Sequence, residues 1–314
     1  MNNEIMTIDQ FAEELGAVIH VFLPEEYNEA EIQITEVTKN NGKRKTAITI
    51  RKKEEKIAPT IYLDEFYEKY KEGMDMEKII RKVAEIRTKA EEKNFNIDEM
   101  LKEEYIRKNV QAMLVKQKGN EEMLKDLVWT PFNDLAIVYK VKVSNEEEGE
   151  ASYKIKKSLL EKVNIKKAEL RNLAFNNMHV QNGPEFKTMI EVLCQIMKIE
   201  DPKEAGMDTD DDTMFVLSNE TKVHGAVWIA DKHVLNAILK TLECERIAIL
   251  PSSIHEVIIL KYDEGHPPIN ELLRMVEEVN NTQVSPEEIL SYNVYLYDKE
   301  NGMIVADEDY LENE

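Results

Sequence analysis

The chain has 314 residues, 42% hydrophobic and 33% charged, with a formal net charge of −21. That composition is that of a globular protein with enough apolar material for real cores, so disorder is not the expected state, and the length favours about two domains. The opening Met1-Asn2-Asn3-Glu4 has neither the basic nor the apolar region of a secretory signal, and no apolar run approaches the roughly 18 residues of a membrane span. A cytoplasmic protein without membrane contact is expected.

In chain order, Thr7-Ile8-Asp9-Gln10 has the form of a capping box, and Ile8, Phe11, Leu15, Val18, Ile19 and Phe22 follow at helical spacing. Ile32, Ile34 and Val37 mark a strand, Asn41-Gly42 a hairpin turn, and Ala47, Ile48 and Ile50 the returning strand. Lys39, Lys43, Arg44, Lys45, Arg51, Lys52, Lys53 and Lys56 give this hairpin a basic rim. No aromatic residues interleave with them to stack bases, and strand edges carry Lys to discourage edge pairing. Ile57 to Leu63 reads as a third strand, with Pro59 at an edge or bulge. A long helix follows, with Met76, Ile79, Ile80, Val83, Ile86 and Ala90 facing the core.

Further strands are expected over Asn109 to Lys116 and Asp134 to Val143, and a turn over Asn145 to Glu150. Lys166 to Asn177 and Glu185 to Lys198 read as helices broken at Asn182-Gly183-Pro184. Residues 201–212, with Pro202, Gly206 and a run of carboxylates, form the expected linker between an N-terminal α+β domain (1–200) and an acidic C-terminal α+β domain (213–314). Within it Asp208, Asp210 and Asp212 have the one, three, five spacing of a calcium loop. Thr213 stands where that loop needs glycine and Asn219 where it needs a bidentate Glu, so a solvated acidic loop is favoured over a metal site.

In the C-terminal part, Met214 to Leu217 and Ala226 to Ala230 are expected strands and His233 to Leu242 a helix. Ile247 to Leu250 and Val257 to Leu260 are neighbouring buried strands. A helix after Pro267-Pro268, a short helix from Ser285, and a hairpin through Asn301-Gly302 complete the order ββαββα plus hairpin. The fold class is α+β, two domains each built on a largely antiparallel sheet with helices packed on it.

Ser252, Ser253, His255 and Glu256, in the turn between the two central strands, are the one local grouping of hydroxyl, imidazole and carboxylate. A serine nucleophile with His255 as base and an acid to orient it is the chemistry such residues allow. The turn lacks the Gly-x-Ser-x-Gly elbow that lifts a serine clear of its strand. The ten glycines are dispersed, which excludes Gly-x-Gly-x-x-Gly and P-loop sites, and the six histidines form no His-x-His or His-x-x-x-His pair. Cys194 and Cys244 show no Cys-x-x-Cys spacing and are expected as buried free thiols. No cofactor is expected.

The Ile57-Ala58-Pro59-Thr60-Ile61-Tyr62-Leu63, Phe132-Asn133-Asp134-Leu135-Ala136-Ile137-Val138-Tyr139 and Leu250-Pro251-Ser252-Ser253-Ile254-His255-Glu256-Val257 stretches, with the closing Asn-Gly hairpin, resemble an uncharacterised domain-of-unknown-function family of anaerobic gut bacteria. The resemblance spans nearly the whole chain. It implies a bacterial, cytoplasmic origin and carries no activity, substrate or catalytic residue.

Residues 201–314 hold 25 Asp+Glu against 8 Lys+Arg, a balance of −17, which leaves −4 for residues 1–200. Such a field repels phosphates and attracts basic surfaces. The expected function is therefore that of a non-catalytic interaction or regulatory protein binding a basic protein partner through its C-terminal domain, in one form as a nucleic-acid mimic. Direct nucleic acid binding is not expected, and the sequence leaves the oligomeric state open. The alternative is a hydrolase built on Ser252 or Ser253 with His255.

Overall fold

The computed structural model describes residues 5–53, 55, 58–91, 96–146, 149–200, 202, 213–251, 253–263 and 267–307. The chain forms two compact units, Met1–Asn96 and Ile97–Glu314.

In the first unit, α1 (Ile8–Val18) starts at the capping box read from the sequence: Thr7 Oγ1 accepts the Gln10 N–H and Gln10 Oε1 the Thr7 N–H. Strands β1 (Glu31–Thr38), β2 (Arg44–Arg51) and β3 (Thr60–Tyr62) form an antiparallel sheet in that order. Asn41 and Gly42 turn the hairpin with φ of 61° and 66°, a conformation these residue types tolerate. Helices α2 (Asp64–Lys71) and α3 (Met76–Glu91) follow, and Phe11, Leu15, Ile48, Ile50, Ile79 and Val83 meet in one core. The inward stripe of α3 differs from its apolar pattern at one place. Ile86 is exposed and Arg87 is fully buried, its Nε donating to the Ile50 carbonyl at 2.6 Å and its guanidinium paired with Glu55. Hydrogen bonding and an ion pair allow a charge to occupy that core position.

The second unit holds α4 (Ile97–Met100), α5 (Glu103–Asn109), β4 (Val110–Lys116), α6 (Glu121–Asp126), β5 (Trp129–Phe132), β6 (Leu135–Glu146), β7 (Gly149–Lys154), α7 (Lys157–Leu160), α8 (Lys167–Gln181), β8 (Pro184–Thr188) and α9 (Met189–Met197). Beyond the undescribed residues 203–212 come β9 (Met214–Asn219), a 3₁₀ segment (Gly225–Ala230), α10 (Lys232–Leu242), β10 (Arg246–Leu250), β11 (Val257–Lys261), α11 (Ile269–Thr282), β12 (Val294–Asp298) and β13 (Gly302–Ala306). β6 is the spine of a four-stranded sheet, with β4 along one side and β5 then β7 along the other. A six-stranded sheet runs β13-β12-β10-β11-β9-β8. Every described strand pair is antiparallel, as an α+β fold requires.

The central strands are buried on both faces, which is why they are apolar without alternation. Ile247 and Ile249 of β10 join a core shared with β4, β6, α8 and α10, whereas Ala248 and Leu250 point to the opposite face, against Leu272 and Val276 of α11.

The boundary expected over residues 201–212 falls inside the second unit: β8 before it and β9 after it are hydrogen-bonded neighbours, from Pro184↔Asn219 to Thr188↔Phe215. Glu185 to Thr188 is a strand and not the start of a helix. The capping box Thr188/Glu191 was legible and sets the first helical residue at Met189. Ala226 to Ala230, expected as a strand, lies in a fully buried 3₁₀ segment (Gly225–Ala230), so the C-terminal order lacks its second strand. A short buried apolar run fits either state, and here His224 turns the chain in the left-handed region just before it. The residues from Ser285 make one turn, Glu288 N–H to Ser285 O at 2.7 Å, and no helix; Ile289 is then drawn into a bridge with Ser253.

Candidate functional site

The β10–β11 turn is fixed from three directions. Ser253 Oγ accepts the main-chain N–H of His255 at 3.0 Å, so the hydroxyl serves its own turn. The Ile254 N–H donates to Glu288 O at 2.8 Å, and the Ser291 N–H to Pro251 O at 3.1 Å. Ser218 Oγ, from the end of β9, donates to His255 O at 2.9 Å.

Sequence reasoning did not single out the partners of the His255 ring. Its Nδ1 accepts the His224 N–H at 3.2 Å, its Nε2 lies 3.4 Å from Glu288 Oε1, and the two imidazoles stack with centroids 5.5 Å apart. His224 adopts φ 58°, and Asn219 clamps the preceding turn by accepting the Val223 N–H and donating to the Val223 carbonyl. The next residue has to be glycine. A Cβ on Gly225 would stand 2.5 Å from Ser218 Oγ and 2.7 Å from both Asn219 N and His255 O.

His224 Nδ1 is 2.9 Å from Nζ of Lys140, a lysine only 2% exposed in β6. An ammonium has only donors, so Nδ1 accepts and the His224 proton sits on Nε2. Lys154 lies opposite Lys140 in register, on the same face of the sheet. Burial first, then the charges of Lys140, His255 and Lys154, holds the His224 pKa well below the ordinary imidazole value. The signal for Lys140 was present in the sequence: it interrupts the apolar run from Leu135 to Val141, which a doubly buried strand has no other reason to break. His224 had no such signal, because its partners come from residues 84 and 31 positions away.

Of the candidates read from the sequence, Ser253 and His255 are neighbours through the main chain. Among the described residues no hydrogen bond joins the Ser253 hydroxyl to the His255 ring, and Glu256 is exposed and forms no ion pair. Ser252, Asp208, Asp210 and Asp212 lie outside the described residues. Among those described, no group of three His, Cys, Asp or Glu is placed to hold a metal, and no helix is long and apolar enough to cross a membrane. Cys194 and Cys244 are half-buried, and no disulfide joins them. Among the described residues, the local arrangement ties His224 to Lys140 and His255 to His224 and Glu288.

A second polar knot ties the β5–β6 turn to β12. Asp134 accepts from Ser291 Oγ at 3.2 Å, Asn293 Nδ2 at 3.1 Å and the Tyr295 hydroxyl at 2.6 Å. Burial pushes the Tyr295 phenol well up, and the Asp134 charge adds to it.

The charged surfaces differ between the two parts of the chain. The basic rim of the β1–β2 hairpin is largely paired: Arg44 with Glu36 at 2.9 Å, Arg51 with Glu31, Lys52 with Glu26 at 3.5 Å, Lys53 with Glu29 at 3.0 Å, and Lys39 over the Tyr62 ring. In the 213–307 region, by contrast, exposed Glu243, Glu245, Glu271, Glu277 and Glu278 form no ion pair among the described residues.

No curated protein and no solved structure matches the chain. The model of a family of unknown function (DUF5688) matches residues 8–299, and the protein therefore belongs to that family.

Proposed function

We infer that this is a bacterial cytoplasmic interaction protein without catalysis of its own, which binds a basic protein partner through the acidic surface of residues 213–307. The observation that supports this reading is the contrast in pairing. Arg44, Arg51, Lys52 and Lys53 of the hairpin are paired with Glu36, Glu31, Glu26 and Glu29, whereas exposed Glu243, Glu245, Glu271, Glu277 and Glu278 form no ion pair among the described residues. A surface of that kind steers a basic protein by long-range attraction and repels phosphates. Nucleic-acid mimicry is the special case in which the partner itself binds DNA or RNA.

The test compares the full chain with a variant carrying Glu243→Gln, Glu245→Gln, Glu271→Gln, Glu277→Gln and Glu278→Gln, both immobilised and exposed to lysate of the source organism. Basic proteins should be retained by the natural chain, released by salt and absent from the variant. Equal retention by both would overturn the reading.

A further inference from the structure

We propose that His255 is a proton-operated latch, which as a neutral ring holds the His224 peptide and as a charged ring releases it and turns to Glu288. Both ring nitrogens are already committed. Nδ1 accepts the His224 main-chain N–H at 3.2 Å, and Nε2 lies 3.4 Å from Glu288 Oε1. A ring nitrogen that accepts a hydrogen bond carries no proton, so the neutral ring has its hydrogen on Nε2. A second proton has only Nδ1 to go to. Proton uptake by His255 and the bond from His224 therefore exclude one another, and whatever strengthens one weakens the other by linkage.

The charged groups around the ring favour two positions for it. Glu288, from the segment after α11, is a carboxylate that an imidazolium draws into a charge-assisted bond. Against the ring's face stands the His224 imidazole, with centroids 5.5 Å apart. Beyond that lie Lys140 of β6, 2.9 Å from His224 Nδ1, and Lys154 of β7 opposite it in register. These cations repel a charged His255, whereas Glu288 attracts it. Glu256, the other carboxylate of the turn, is exposed. Burial and the charges of Lys140, His255 and Lys154 all oppose a proton on His224, so the two imidazoles do not charge together, and the one beside a carboxylate takes the proton. The change is confined to the ring and the His224 peptide. Ser218 Oγ holds His255 O in either state, and Thr221 and Val223 keep their bonds to Asn182 and Asn219. What is released is the root of the buried Gly225–Ala230 segment, next to the exposed residues Glu220, Thr221 and Lys222.

Amide hydrogen exchange of the full chain, followed residue by residue by NMR and corrected for the intrinsic rate at each pH, tests the proposal. Thermal melts confirm that each variant is folded. Between about pH 7.5 and about pH 5.5, the span in which an imidazole changes charge, the His224 amide should lose about tenfold or more of its protection. The Val223 amide, bound to Asn219 Oδ1, should change little. Glu288→Gln, at an exposed position, removes the attraction for the charged ring and should move the transition to lower pH. His224→Asn keeps the main-chain N–H and should keep the transition, which separates sensing by His255 from sensing by the His224 ring. His255→Phe has no acceptor and should leave the His224 amide weakly protected at both pH values. A His224 amide equally protected throughout, a transition unmoved by Glu288→Gln, one that survives in His255→Phe, or one lost in His224→Asn would each overturn the proposal.

Discussion

Lys140 Nζ and His224 Nδ1 stand 2.9 Å apart, joining the middle of β6 to the turn that follows β9. The contact fixes the imidazole as a neutral acceptor, and the consequence is a pH dependence. The folded pKa of His224 lies below its ordinary value. As pH falls through about 6.5, the unfolded chain therefore takes up a proton that the folded chain refuses. Stability is full above that pH and declines below it by up to about 1.4 kcal/mol per pH unit, until the folded pKa is reached. His224→Asn, which tolerates the left-handed backbone, should give a flatter stability curve between pH 7 and 5 in urea melts. Identical slopes for both proteins would show that His224 takes up its proton freely in the fold.

Gly225→Ala should be among the most destabilising small changes in the chain. The added methyl has backbone atoms on two sides, Asn219 N and His255 O, and neither can move without opening the β9 end. A loss of about 3 kcal/mol or more is expected in chemical denaturation, against less than about 1 kcal/mol for the same change at an unconstrained surface position.

The Asp134 knot is predicted to behave as a unit. Asp134→Ala leaves Tyr295, buried in β12, without its acceptor and should cost about 2 to 4 kcal/mol. Tyr295→Phe removes the donor and leaves Asp134 its other two, and should cost less. The double variant should fall short of the sum, because both changes break one hydrogen bond. Additive losses would separate the two residues.

Ser253→Ala is expected to lower stability by about 1 kcal/mol, the worth of one turn hydrogen bond. A fluorophosphonate probe should not label Ser253. Labelling that disappears in His255→Ala would contradict the assignment of this hydroxyl to the turn and revive the hydrolase reading.

How far these features could be read in advance depended on how local they are. The Thr7 capping box, the Asn41-Gly42 turn and the paired strands β10 and β11 follow from neighbours a few residues apart, and the sequence shows them directly. In the sequence β8 reads as the start of a helix because Phe186, Met189 and Ile190 form an apolar series, while the strand exists only through β9, 27 to 35 positions onward. Gly225–Ala230 was ambiguous for the same reason. At the candidate site, Ser253 and His255 were visible as a cluster, but their roles are decided by His224, Ser218 and Glu288, which reach the turn from other segments. Periodicity reports a residue's own element and carries no information about such distant partners.

The measurement that tests the interaction reading most directly is association kinetics across ionic strength, between the full chain and the basic protein that it retains. If the exposed glutamates steer that partner, the association rate should fall about tenfold or more as the Debye length shrinks from about 30 Å to below 10 Å. Dissociation should change far less. The five-glutamine variant should associate slowly at every salt concentration. A complex whose association ignores salt, or is unchanged in that variant, would contradict the account and leave the acidity of residues 213–307 as a means of solubility.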